Sequence, residues 1–201
     1  MTNPSNKLQI VLASSNAGKI AEFQLFFKKI PIEWIPQSEL SIDDADETGK
    51  TFIENAILKA RHAAAASGMP ALADDSGLVV NALDGKPGVY SSRYASTNEA
   101  RIKKLLADMK NVPDDERTAS YHSVLALVEY ENDPAPLICH GIWEGEITRE
   151  ARGSNGFGYD PIFYVPTHDC TAAELDTAEK NRISHRGQAM MQLLEIFQEY
   201  K

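Results

Sequence analysis

The sequence predicts an α/β domain in which helices flank a mixed sheet, and three observations carry that expectation. The apolar run Leu8 to Ala13 gives way to Ser14-Ser15-Asn16-Ala17-Gly18-Lys19 and then to the amphipathic positions Ile20, Phe23, Phe27 and Ile30, a strand, loop and helix in succession. The run Val124 to Val128 is apolar and rich in branched residues, as in a central strand. Capped helical segments alternate with such strands, and no linker is long or polar enough to separate domains. Residues 1–201 therefore read as one domain, with residues 1–7 as a polar extension.

The first junction has a chemical consequence. A helix that starts just after a strand leaves its first N–H groups unpaired and aims the positive end of its dipole at one point, which suits a phosphate. Lys19 adds a full charge there, and the Ser and Asn side chains add neutral hydrogen bonds. This is not a Walker loop: the spacing G-x-x-x-x-G-K-[ST] is absent, and Ile20 stands where the magnesium-binding hydroxyl belongs. By itself, a Gly-Lys after a strand is more often an ordinary connection.

Further along, Thr51-x-x-Glu54 is a capping box opening a helix that runs to about Ser67, with Gly68 as its stop and Pro70 beyond. Its apolar stripe is Ile53, Ile57, Ala60 and Ala64, while Asn55, Lys59 and His62 share another face at steps of four and three. A short strand, Ala71 to Ala73, is expected to end in Asp74-Asp75-Ser76-Gly77, followed by Leu78-Val79-Val80 and a Gly/Pro-rich turn from Asp84 to Gly88. Glu99 to Met109 reads as helix and Asn111 to Arg117 as loop. After Val124 to Val128 come a turn (Glu131 to Pro136), a second strand pairing antiparallel (Leu137 to Ile142) and a third containing Ile147. Gly153 to Pro161 is a glycine-rich loop feeding the strand Ile162 to Val165. Ser184 then caps a last helix with Met190, Leu193, Leu194 and Phe197 on its apolar side.

Composition narrows the partners. The 201 residues carry a net charge of −9, which argues against a nucleic-acid backbone or an anionic membrane surface. It leaves room for a small anionic ligand in a locally positive pocket. No apolar run approaches the roughly 18 residues of a membrane span, and the stretch after the polar start is short for a secretory signal. Cys139 and Cys170 match no zinc spacing and could form at most one bridge; they read better as reduced structural thiols, which fits a cytoplasmic protein.

Three places concentrate chemistry. Asp74 and Asp75 form either a solvated turn or a metal site. Gly77, which permits close backbone approach, and the acidic stretch Asp43-Asp44-Ala45-Asp46-Glu47 favour a hard cation such as magnesium, held by carboxylates together with phosphate oxygens. In the glycine-rich loop, Gly153, Gly156 and Gly158 either permit a tight bend or leave Phe157 exposed as a platform for a flat base; an aromatic between glycines is a poor core residue, which favours the platform. His185-Arg186 puts cations in the first turn of a helix, where the dipole disfavours them; this is either a functional pair or an ordinary surface pair.

Together these segments resemble the inosine/xanthosine triphosphate pyrophosphatase family, in its bacterial branch. The matching stretches are Ser14-x-Asn16-x-Gly18-Lys19, Glu47-Thr48-Gly49-x-Thr51-Phe52-x-Glu54-Asn55-Ala56, Ala73-Asp74-Asp75-Ser76-Gly77-Leu78, Pro87-Gly88-x-Tyr90-Ser91, Gly156-Phe157-Gly158-Tyr159-Asp160-Pro161 and Ser184-His185-Arg186-Gly187. They occur in family order over nearly the whole chain. Departures are small: Ser15 stands where Gly is common, and a few polar residues precede the first strand.

The resemblance implies an elongated, two-lobed α/β fold with a long mixed sheet, an active site in the cleft between lobes, and a homodimer. It implies hydrolysis of noncanonical purine nucleoside triphosphates (ITP, dITP, XTP) to monophosphate and pyrophosphate with Mg2+. Carried over by motif, the loop Ser14, Ser15, Asn16, Ala17, Gly18 and Lys19 holds the phosphate tail with Lys59. Glu47 and Asp75 bind the metal, and Asp75 is also the base that activates water. Ser76 lies beside the nucleotide, Phe157 stacks on the purine, and Gly158, Tyr159, Asp160, Lys180, His185 and Arg186 surround it. Donors at the purine 6-position would favour a 6-oxo over a 6-amino group, because the latter leaves them unpaired. Two other functions compete. A related-fold pyrophosphatase for modified pyrimidine nucleotides carries a Ser-Pro-Arg-Arg loop that is missing here. A non-catalytic nucleotide-binding module has no need of Glu47, Asp75 and Lys19 together.

Overall fold

Seven strands, β1 (Leu8–Leu12), β2 (Ile32–Pro36), β3 (Ala71–Val80), β4 (Thr118–Val128), β5 (Leu137–Ile147), β6 (Phe163–Val165) and β7 (Cys170–Thr171), form a mixed sheet in a computed structural model that describes residues 8–199. The polar extension, residues 1–7, lies outside the described residues. The strand order is β2-β1-β3-β4-β5-β6-β7. β1 runs parallel to β2, with Leu8 opposite Ile32, and parallel to β3, with Val11 opposite Ala71. β6 is antiparallel to both β5 and β7. The helices are α1 (Ala17–Phe26), α2 (Phe52–Ser67), α3 (Asn98–Asp108), α4 (Thr177–Ile183) and α5 (His185–Glu199). None of the described helices is long and apolar enough to cross a membrane.

The expected α/β class holds, and several boundaries move for physical reasons. α1 stops at Phe26, with Phe27 as its C-cap, and Pro31 disfavours a helical conformation at Ile30, so the helix does not reach that residue. α2 has the expected capping box and ends on Gly68 at φ +70°. Its buried face, however, is Asn55, Ala56, Ala60, Ala63 and Ala64, and Ile53 is exposed. The alanines let the helix approach Val11, Ala13, Ala71, Ala73 and Val124 closely, which a larger side chain would prevent.

The largest correction concerns Asp74-Asp75-Ser76-Gly77, which does not end a strand. β3 passes straight through it, and both carboxylates are buried in mid-strand. β4 begins six residues before Val124 and β5 is one continuous strand to Ile147. Ser184 caps α5 as expected, its Oγ accepting from Gly187 N at 3.2 Å.

The described chain falls into two compact units, residues 8–75, 124–139 and 190–199 in one and residues 76–123 and 140–189 in the other. The first unit has the alanine-lined core under α2 and an aromatic cluster in which Phe27 meets Trp34 and Phe197 at centroid distances of 5.2 and 6.2 Å. The core of the second includes Leu78, Leu105, Met109, Tyr121, Trp143, Ile147, Ile162 and Phe163. There the buried Arg117 donates to the carbonyls of Met109 (3.0 Å), Ile147 (2.6 Å) and Thr148 (3.0 Å), fastening the end of α3 to the end of β5.

Candidate active site

In the first unit, the β1–α1 junction, α2 and the middle of β3 bring two lysines to three carboxylates. Asn16 is the N-cap of α1, and its Oδ1 accepts from Gly18 N (3.0 Å) and Lys19 N (3.2 Å). That cap occupies the carbonyl oxygen and leaves the side-chain NH2, which can only donate. Ala17 opens the helix. Ser14 Oγ accepts from Asn16 N at 3.2 Å, which shapes the turn. Ser15 Oγ donates to Asp44 Oδ2 at 2.8 Å, so this hydroxyl is engaged by the acidic segment.

Lys19 Nζ lies 3.0 Å from Asp74 Oδ2. Lys59 Nζ lies 2.9 Å from Glu47 Oε1, 3.1 Å from Asp75 Oδ1 and 2.8 Å from the Asp74 carbonyl. Burial opposes the charge on Lys59, but Asp75 and Glu47 outweigh it and hold its pKa above the ordinary lysine value. Burial also raises the pKa of Asp75, Glu47 and Asp74 add to that, and Lys59 opposes it. Asp75 is thus a better proton acceptor at neutral pH than a solvated aspartate.

The residues fit a magnesium ion of the kind that substrate helps to hold. Asp75 Oδ2 is buried with no hydrogen-bond partner among the described residues, a costly arrangement for a carboxylate unless a cation or proton takes it up. Among the described residues no group of three or more His, Cys, Asp or Glu side chains is arranged to hold a metal by itself. Magnesium commonly takes only one or two carboxylates and completes its shell with phosphate oxygens and water, so Glu47 and Asp75 match that pattern. Elsewhere in the acidic run, the Asp44 carboxylate serves Ser15 and Gln37, and Asp43 and Asp46 accept hydrogen bonds through their backbone carbonyls.

The second unit presents an aromatic platform with cations around it. Gly156 and Gly158 have φ of +76° and +63°, the left-handed region that favours glycine. Between them Phe157 is 45% exposed, with Lys180 Nζ 4.9 Å and Arg186 Cζ 5.6 Å from its ring centroid. Asp160 Oδ2 accepts from Phe157 N at 2.7 Å and pairs with Lys180 Nζ, fixing loop and cation together. Tyr159 is buried and donates to Ser91 O at 2.9 Å, so its ring anchors the loop and only its backbone is left for a ligand. Arg186 Nη2 donates to Ser76 Oγ at 3.3 Å.

His185 and Arg186 are both buried, which removes the reading of an ordinary surface pair. His185 stacks on Tyr121 at 4.6 Å and 7°. Gly141 allows this approach, because a Cβ there would lie 1.9 Å from His185 O. Sequence reasoning missed Tyr121, which also reaches Asp160 Oδ1 at 3.4 Å, although its place between Ala119 and Ser123 on an alternating strand marks it as inward-facing. It also missed the pairing of Asp74 with Lys19 and the burial of Asn55; a lone amide among alanines was the available signal.

The sequence profile of the Ham1 family matches residues 10–196. The dITP/XTP pyrophosphatase of Coxiella burnetii is 61% identical over 195 residues, covering 96% of this chain and 98% of the relative. The enzyme of the same name from Escherichia coli K12 is 53% identical, covering 93% and 96%. Among solved structures, a HAM1 protein from Coxiella burnetii matches with a TM-score of 0.92 at 61% identity, covering 96% of this chain and 99% of that one. The Ham1 protein of Staphylococcus aureus matches at 0.87 and 43%, covering 96% and 100%. With a profile match over nearly its whole length, and relatives this similar across theirs, the chain belongs to the Ham1 family.

Proposed function

We propose that this chain hydrolyses noncanonical purine nucleoside triphosphates, ITP, dITP and XTP, to the monophosphate and pyrophosphate, with magnesium bound by Glu47 and Asp75. The observation that carries the reading is the buried Asp75 Oδ2, without a hydrogen-bond partner among the described residues, on a carboxylate whose other oxygen meets Lys59. The names of the relatives support the substrate class. When bound, the metal supplies charge neutralisation to the phosphates and acidifies water.

The chain's own residues do the rest. Asp75 takes the proton of the attacking water, and its raised pKa suits that task. Lys19 and Lys59 offset the charge that develops on the leaving pyrophosphate. Ser14, Ser15, Asn16, Ala17 and Gly18 form the loop that holds the phosphate tail, with the Ser14 hydroxyl and the Asn16 amide as its side-chain donors. Phe157 takes the ring face. Gly158, Tyr159, Asp160, Lys180, His185 and Arg186 frame its edge, with Ser76 beside the nucleotide. The same reading takes in a homodimer, implied by the family resemblance, and a cytoplasmic location, supported by two free thiols.

The test is pyrophosphate release from a panel of ITP, dITP, XTP, GTP, ATP and modified pyrimidine triphosphates, with and without magnesium. Magnesium-dependent release favouring ITP, dITP and XTP over ATP is expected. Equal rates on ATP, or a preference for the pyrimidines, would reject the assignment.

A further inference from the structure

Asn55 is fully buried (0% exposed) one helical turn before Lys59 on α2. Its Oδ1 accepts from Gly49 N at 2.8 Å. The contact belongs to a series. Glu54 Oε2 accepts from Lys50 N at 2.8 Å, Lys59 Nζ donates to Glu47 Oε1 at 2.9 Å, and His62 Nε2 lies 2.9 Å from Asp43 O. Asn55, Lys59 and His62 share one face of the helix at steps of four and three. As the numbers rise along α2, their partners fall from 49 to 47 to 43. The segment 43–49, which has no helix or strand of its own, is thus zipped antiparallel onto the helix.

The middle tooth of that zip is Glu47, held to Lys59 by an ion pair between two largely covered side chains. The bond at Gly49 differs in ending on a side chain that is wholly out of water, that of Asn55. Space there is tight: a Cβ on Gly49 would lie 2.6 Å from Asn55 Oδ1 and 2.6 Å from Glu54 Cβ. Asn55 Nδ2 is buried with no partner among the described residues, so the side chain carries a desolvation cost that alanine, its neighbour at Ala56 and Ala60, would avoid. A polar residue retained at that cost points to what its oxygen holds.

We propose that Asn55 is a positioning residue for Glu47: by fixing the Gly49 N–H it keeps the segment against α2 and the Glu47 carboxylate at Lys59 and Asp75. The role rests on the reading of Glu47 as a magnesium ligand. Residues that orient metal ligands typically change metal affinity or activity by about 10–100-fold when replaced.

The test compares Asn55→Ala, Asn55→Asp and Gly49→Ala by hydrogen–deuterium exchange of residues 43–50 without metal or nucleotide, and by the magnesium concentration for half-maximal pyrophosphate release at saturating ITP. In Asn55→Ala, exchange in that segment rises while β3 stays protected. Half-saturation by magnesium rises about ten-fold with kcat at saturating magnesium within about two-fold of the parent. Asn55→Asp keeps the acceptor oxygen and returns both readouts toward the parent. Should Asn55→Ala fail to fold, Gly49→Ala leaves Asn55 in place, pushes the segment away and must give the same pair of changes. Unchanged exchange, or faster exchange with unchanged half-saturation, overturns the positioning role. A parent protein whose ITP hydrolysis ignores magnesium overturns the reading of Glu47 instead, while the exchange result still stands.

Discussion

Lys59 Nζ lies 3.1 Å from Asp75 Oδ1, while Oδ2 of the same carboxylate is buried without a partner among the described residues. One side chain is therefore half neutralised and half available, which is what a group needs if it is both to stay ionised and to take up a cation or proton. Asp75→Asn keeps the shape and removes the charge. It is expected to lower kcat by at least about 10²-fold, the lower range for a general base, while nucleotide binding largely survives because no phosphate-facing cation is lost. Steady-state kinetics on the folded variant decide, and retention of more than about a tenth of parental kcat would reject Asp75 as the base.

Lys19 pairs with the buried Asp74 at the start of α1. Lys19→Ala should therefore act twice. Loss of the ion pair lowers stability by about 1–3 kcal/mol, the scale of a hydrogen bond to a charged group. Loss of the cation at a helix start weakens ITP binding far more than inosine binding, since only ITP carries phosphates. Thermal melting reads the first effect and calorimetry with the two ligands the second. Equal losses for ITP and inosine would move Lys19 out of the phosphate site.

Gly156 tests the support of the aromatic platform. A Cβ there would sit 2.1 Å from Asp160 Oδ2 and 2.8 Å from Lys180 Nζ, at a φ of +76°. Gly156→Ala therefore strains the backbone and pushes Asp160 away from Phe157 N, at a cost of about 1–3 kcal/mol of stability. KM for ITP is expected to rise at least about ten-fold as the platform loses its register, with kcat less affected. An unchanged KM would show that the Asp160 clasp does not set the position of Phe157.

Much of this was legible in the sequence because local rules agreed with the fold. The capping box at Thr51 and Glu54, the Gly68 stop and the Ser184 cap are all realised, since each depends on neighbours only a few residues away. The failure at Asp74-Asp75 has the opposite cause. Two adjacent acids read as the end of a strand because their compensation comes from Lys19 and Lys59, which are 55 and 16 residues distant along the chain from their partners. Only the fold makes β3 continuous there. Burial of His185 was likewise invisible, because it depends on Tyr121 and on the missing side chain of Gly141.

Phe157 and Arg186 separate affinity from specificity. The ring is 45% exposed and flanked by the Arg186 guanidinium at 5.6 Å, whereas Arg186 itself is only 4% exposed. An exposed ring face stacks on any purine and adds about 1–3 kcal/mol without discrimination. A buried guanidinium only donates, so a 6-oxo group satisfies it and a 6-amino group does not. Arg186→Ala is expected to compress the ITP-to-ATP ratio of kcat/KM by about ten-fold or more, the scale of one buried donor left unpaired. Phe157→Ala is expected to lower both values and leave their ratio nearly unchanged. Arg186→Lys separates packing from charge: it retains a cation but not the planar fork, so it should recover stability without recovering the full ratio. Measuring kcat/KM for both nucleotides across the three variants tests the division of labour. A ratio unmoved in Arg186→Ala, or compressed equally in Phe157→Ala, would remove the specificity role from Arg186.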